Sequence, residues 1–79
     1  MSQNNISHYE VRITPRISCA TDKSQYNADY TEEQEVEAQN YFQTLVERYQ
    51  CYNYSTPTAD TKQAMGQFYT ITLTTHKIK

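Results

Sequence analysis

Two imidazoles and one carboxylate, His8, His76 and Glu10, are the side chains of this sequence that come nearest to a metal-binding set. Imidazole nitrogen and carboxylate oxygen are ordinary zinc ligands, and three of them would leave the open position that a catalytic metal uses. Their placement argues against that chemistry. His8 and His76 lie at opposite ends of the chain, neither belongs to a local ligand motif, and a solvated strand face accounts for both. Cys19 and Cys51 add two thiols without Cys-x-x-Cys spacing. A nucleophilic cysteine needs an electropositive setting, whereas Cys51 follows an acidic stretch, so both thiols read as free and structural. With a single Gly in 79 residues, the chain also lacks the material for glycine-built phosphate loops. The expectation is no catalytic residue, no metal site, no cofactor, and a protein that is not an enzyme.

The elements that carry these residues follow from periodicity. Over residues 8–17, Tyr9, Val11 and Ile13 alternate with His8, Glu10, Arg12 and Thr14, the pattern of a strand with one apolar face, which Pro15 ends or places on an edge. Tyr26, Ala28 and Tyr30 alternate again as a short second strand. Thr31-Glu32-Glu33-Gln34 then fits a capping box, and Ala38, Phe42, Leu45, Tyr49 and Tyr52 follow at helical spacing, widened by Tyr41 and Val46. The helix is expected to begin at Thr31 and to end between Tyr49 and Asn53, where aromatic and β-branched residues precede Pro57. Tyr52 and Tyr54 start another strand, Pro57 to Asp60 is turn chemistry, and Asp60 caps one short helical turn closed by Gly66. In residues 68–78, Tyr69, Ile71 and Leu73 alternate with Thr70, Thr72, Thr74 and His76 as a long last strand. The predicted architecture is α+β: a small, mostly antiparallel sheet, ββαββ or similar, with one long amphipathic helix packed on one face. Residues 7–79 form the single domain, and residues 1–6 a flexible N-terminal tail.

A chain of 79 residues supports one small core, and stability should be marginal. Mean hydropathy is −0.91, but 8 Tyr and 2 Phe argue against disorder. No segment approaches the roughly 20 apolar residues of a membrane span, and the first residues carry neither the basic nor the apolar part of a secretion signal. The expectation is a cytoplasmic protein with no membrane partner.

Charge is unevenly spread. Residues 21–50 hold seven acids, Asp22, Asp29, Glu32, Glu33, Glu35, Glu37 and Glu47, against Lys23 and Arg48, a net of −5 within a chain whose net charge is −2. That acidic middle disfavours direct nucleic-acid binding, for which Arg12, Arg16, Lys77 and Lys79 offer only a small basic edge. It suits a basic protein partner, including one whose lysines and arginines normally grip phosphates. Asp29, Glu33, Glu37 and Glu47 are the charged candidates for that contact. Tyrosine supplies the rest: 8 of them exceed what a small core buries, and tyrosine suits interfaces because it brings large area with little rotamer entropy. Tyr26, Tyr30, Tyr41 and Tyr54 are the candidates.

A short stand-alone domain with an acidic helix on a small sheet, many tyrosines and no catalytic motif resembles the small inhibitors made by phages and mobile elements, of which anti-CRISPR proteins are the best-known group. The resemblance is one of size and layout, without a motif match. It implies a viral protein acting in the host cytoplasm, which occupies a surface of a defence complex that otherwise meets nucleic acid. The alternative is a homodimeric structural or regulatory subunit that assembles through a sheet edge, with the threonine-rich last strand as one such edge.

Overall fold

The computed structural model of the chain describes residues 6–78. Five strands, β1 (Ile6–Pro15), β2 (Ala28–Thr31), β3 (Asn53–Thr58), β4 (Thr61–Met65) and β5 (Tyr69–Lys77), and one helix, α1 (Glu35–Tyr49), follow one another as ββαβββ. The strands make one sheet in the order β2-β1-β5-β4-β3, antiparallel at every pairing. The α+β class and the helix on a small antiparallel sheet match the expectation, and the sheet has one strand more than predicted. Of the expected tail over residues 1–6, residues 1–5 lie outside the described residues, and Ile6 belongs to β1.

The alternation read in the sequence decides which face is buried. Val11 pairs with Leu73 and Ile13 with Ile71 across β1 and β5, and Ile71 pairs with Ala64 on β4, so their side chains share one side of the sheet. Ala38, Phe42, Leu45 and Val46 of α1 close over them. Val11, Leu45, Val46 and Ile71 are fully buried, each contributing about 1.5–3 kcal/mol of transfer free energy. The helix covers β5, β1 and β2. β3 lies past it, and all six residues of that strand are exposed.

The helix ends inside the expected window, at Tyr49, but it starts later than expected and leaves Tyr52 out of its buried stripe. Gln34 Oε1 accepts the Thr31 amide at 2.9 Å, the reach-back half of a capping box. Yet Thr31 completes β2, and the Gln34 amide donates to the Thr31 carbonyl at 3.0 Å, so residues 31–34 form a turn and the helix begins at Glu35. At the other end Gln50 takes a left-handed conformation, φ 57° and ψ 46°, and the Cys51 amide donates back to the Val46 carbonyl at 2.9 Å. That cap ends the helix before Tyr52, which therefore leaves the buried stripe and is 58% exposed.

The predicted helical turn between Asp60 and Gly66 is instead strand β4. Thr58 pairs with Thr61, so Ala59-Asp60 is a two-residue hairpin loop. The Asp60 carbonyl accepts the Thr75 amide at 2.8 Å, tying the loop to β5. Pro57 sits on the free edge, in a stretch where the β3–β4 register shifts. The last strand is central, paired on both sides, and so has no edge to offer a second copy.

Candidate partner-binding surfaces

The uncovered sheet face brings His8, His76 and Glu10 together. His8 and His76 are register partners, with ring centroids 4.3 Å apart and planes 10° from parallel. His76 Nε2 and Glu10 Oε1 share a hydrogen bond of 2.7 Å, and Arg12 pairs with the same carboxylate. Burial pushes the Glu10 carboxyl up, but the hydrogen bonds from His76 and Arg12 outweigh it and hold the group below its ordinary value. Nitrogen lone pairs lie in the ring planes, so stacked imidazoles aim them side by side and not toward one point. Among the described residues no group of three or more His, Cys, Asp or Glu is arranged to hold a metal ion.

The thiols are far apart in environment. Cys19 is exposed and Cys51 buried. Burial pushes the Cys51 thiol up, more than Arg16 and the Gly66 backbone pull it down, so this sulfur acts as a small apolar group in the core. Among the described residues the side chains of the expected basic edge are each engaged separately: Arg12 pairs with Glu10, Arg16 donates to the Gly66 carbonyl, and Lys77 pairs with Asp60 at 3.0 Å, while Lys79 lies outside the described residues.

The acidic and tyrosine candidates divide between two flanks of α1. On the β2 flank, Tyr30 and Tyr41 lie 6.1 Å apart, Tyr41 donates its hydroxyl to the Tyr26 carbonyl at 2.6 Å, and Arg48 stands over the Tyr26 ring at 5.8 Å. All three tyrosines pack against the core and act first as the seam between helix and sheet. Burial raises the Tyr30 and Tyr41 phenols; Tyr41 and Glu37 add to the shift at Tyr30, while at Tyr41 its tyrosine neighbours outdo the opposing Arg48. Glu33 and Glu37 are exposed around this seam, whereas Asp29, the register partner of Glu10, is exposed on the opposite, uncovered face of the sheet and does not join them. On the β3 flank, exposed Glu47 and Tyr54 are joined through Gln43, whose amide donates to the Glu47 carboxylate at 3.3 Å and to the Tyr54 hydroxyl at 3.4 Å. Tyr54 is 52% exposed, the one tyrosine candidate that presents most of its ring to solvent.

Sequence reasoning missed the cleft that β4 creates. Between α1 and the β3–β4 hairpin runs a groove of about 310 Å³ lined by Phe42, Tyr54, Ser55, Thr56, Lys62 and Gln63. A second hollow of about 230 Å³ shares Thr56 and Lys62 with it and reaches Glu35, Asp60 and Leu73. Volumes of this size are at or below the small end of ligand clefts. No helix among the described residues is long and apolar enough to cross a membrane. Compared with models of known families, with characterised proteins and with solved structures, the chain finds no match in any of the three.

Proposed function

We propose that this protein is a non-enzymatic binding module that inhibits a larger nucleic-acid-handling complex of the kind used in cellular defence, in the manner of anti-CRISPR proteins. The observation that supports this reading is the exposure of Glu32, Glu33, Glu35, Glu37 and Glu47 on α1 and the turn that leads into it. Clustered carboxylates on a rigid element attract basic surfaces and speed their encounter, and they repel phosphates. The contact would combine Glu33 and Glu37 on one flank of α1 with Glu47 and Tyr54 on the other, and Asp29, on the far face of the sheet, would lie outside it. Tyr26, Tyr30 and Tyr41 would support it from beneath by holding the helix in place.

The test is affinity capture from a lysate of the native host at low and high salt, with the Glu33→Lys/Glu37→Lys double variant as a parallel bait. The expected result is a basic partner that is lost both on raising salt and in the variant. Equal capture by both baits would overturn the acidic-surface reading. The competing homodimer has β3 as its longer free edge, and Pro57 with the nearby register shift opposes pairing there. A stable dimer by light scattering, together with no captured partner, would favour it.

A further inference from the structure

We infer that the groove between α1 and the β3–β4 hairpin is a docking site for a short extended segment of a partner protein, with apolar side chains at alternate positions and a basic residue at each end. This rests on the partner-binding reading above and specifies its mode. The two hollows share Thr56 and Lys62 and are taken together as one trough, to which Phe42 and the half-exposed Tyr54 give an apolar lining in the first hollow and Leu73 in the second. Glu35 and Gln39 of α1 line one end of it, and at the other end Gln43 bonds both the Tyr54 hydroxyl and the Glu47 carboxylate, which stands just outside the lining.

The charges of these helix residues select the occupant. Glu35 is bonded to the Gln39 amide at 3.2 Å and Glu47 to the Gln43 amide at 3.3 Å, and neither carboxylate is held in an ion pair among the described residues, so each can meet an incoming cation. At about 1.5 Å per residue the two stand about 18 Å apart along the helix. Seven residues of extended chain span about 20 Å at about 3.3 Å each, with the second, fourth and sixth side chains pointing into the apolar lining and both end side chains pointing away from it, toward the rim. Lys62 lends the trough its apolar stem and leaves its ammonium at the rim, where the carbonyls of an extended chain are acceptors. A second copy of this chain fits poorly, because it would set Glu35 and Glu47 against acidic surface.

The probe is a pool of capped heptapeptides with Lys at both ends, Thr at the third and fifth positions, and Leu, Ile, Val or Phe at the second, fourth and sixth. Titrated into isotope-labelled protein, it should shift the amide signals of Gln43, Tyr54, Thr56 and Lys62. Tyr54→Ala should weaken binding by about tenfold or more, as loss of an aromatic anchor does. Glu47→Lys, a change on the exposed helix surface, should weaken it as well, and a pool ending in Glu should not bind. Shifts confined to the Glu33 and Glu37 region would overturn the trough and leave the acidic-surface reading standing. Absence of shifts, with capture still sensitive to Glu33→Lys/Glu37→Lys, would do the same. Absence of both would overturn the two together.

Discussion

A side chain on Gly66 would begin 2.8 Å from the Sγ of Cys51. The same point lies 3.1 Å from the Cys51 Cα and 3.1 Å from the Gln50 carbonyl, so two of its three neighbours are backbone and cannot swing aside. Gly66 is therefore needed for close approach: it lets the β4–β5 turn rest on the residues that end α1. Its own conformation is ordinary, since no glycine among the described residues has a positive φ.

Gly66→Ala should accordingly destabilise the fold by about 1–3 kcal/mol, the usual cost of overfilling a packed site. Chemical denaturation of the variant checks this. In the background of Cys51→Ala the penalty should shrink without vanishing, because the sulfur is gone and the two backbone contacts stay. A double-mutant cycle between the two positions reads that coupling directly.

Glu10 makes stability depend on acid. Its carboxyl, with an ordinary value of 4.5, titrates lower in the folded protein. The folded state therefore releases this proton more readily than the unfolded chain, and the gain is complete above the ordinary value. It is lost as pH falls through the folded one. Replacing Glu10 by Gln should cost roughly 1 kcal/mol near neutral pH, the scale of a hydrogen bond to a partly exposed charged group. The wild-type and variant stability curves should converge as the solution becomes acidic. Parallel curves across that range would show that the His76 and Arg12 contacts contribute nothing to folding.

The parts of the fold that were legible are those where one face of an element is apolar and the other polar. Tyr9, Val11 and Ile13 against Ile71 and Leu73 identified two strands, but alternation alone does not say which strands pair, so the meeting of His8 with His76 beside Glu10 came only with the register of β1 and β5. β4 was not legible, because Thr61-Lys62-Gln63-Ala64-Met65 puts one small apolar residue, Ala64, into the core and has no strong alternation. Its hairpin gave no warning either. The loop residues Ala59 and Asp60 have negative φ, so the turn is not one of the mirror-image types that Asn-Gly or Asp-Gly would announce. With β4 unread, the trough that it forms against α1 was out of reach. Tyr52 was misplaced for a local reason: the left-handed Gln50 ends the helix one turn short of the apolar stripe, and Gln is not a residue that signals such a cap.

The tyrosine seam should fail in alkali. Burial raises the phenols of Tyr9, Tyr30 and Tyr41 above the ordinary value of 10.0, with nearby Glu35 adding to the effect at Tyr9. Above that value the unfolded chain gives up these protons while the folded protein still holds them. Their contribution is thus fully present below the ordinary value and lost as pH rises through the folded ones. Phenolate absorbance should show these three groups ionising late and together with loss of helix signal. Tyr41→Phe should flatten part of the alkaline decline. It should also cost about 0.5–1.5 kcal/mol at neutral pH, through the lost bond to the Tyr26 carbonyl. Tyr54→Phe, on the open flank, should change neutral stability by less than about 0.5 kcal/mol. If the two variants behave alike, Tyr41 does not join α1 to the loop before β2, and the division between supporting and exposed tyrosines is lost.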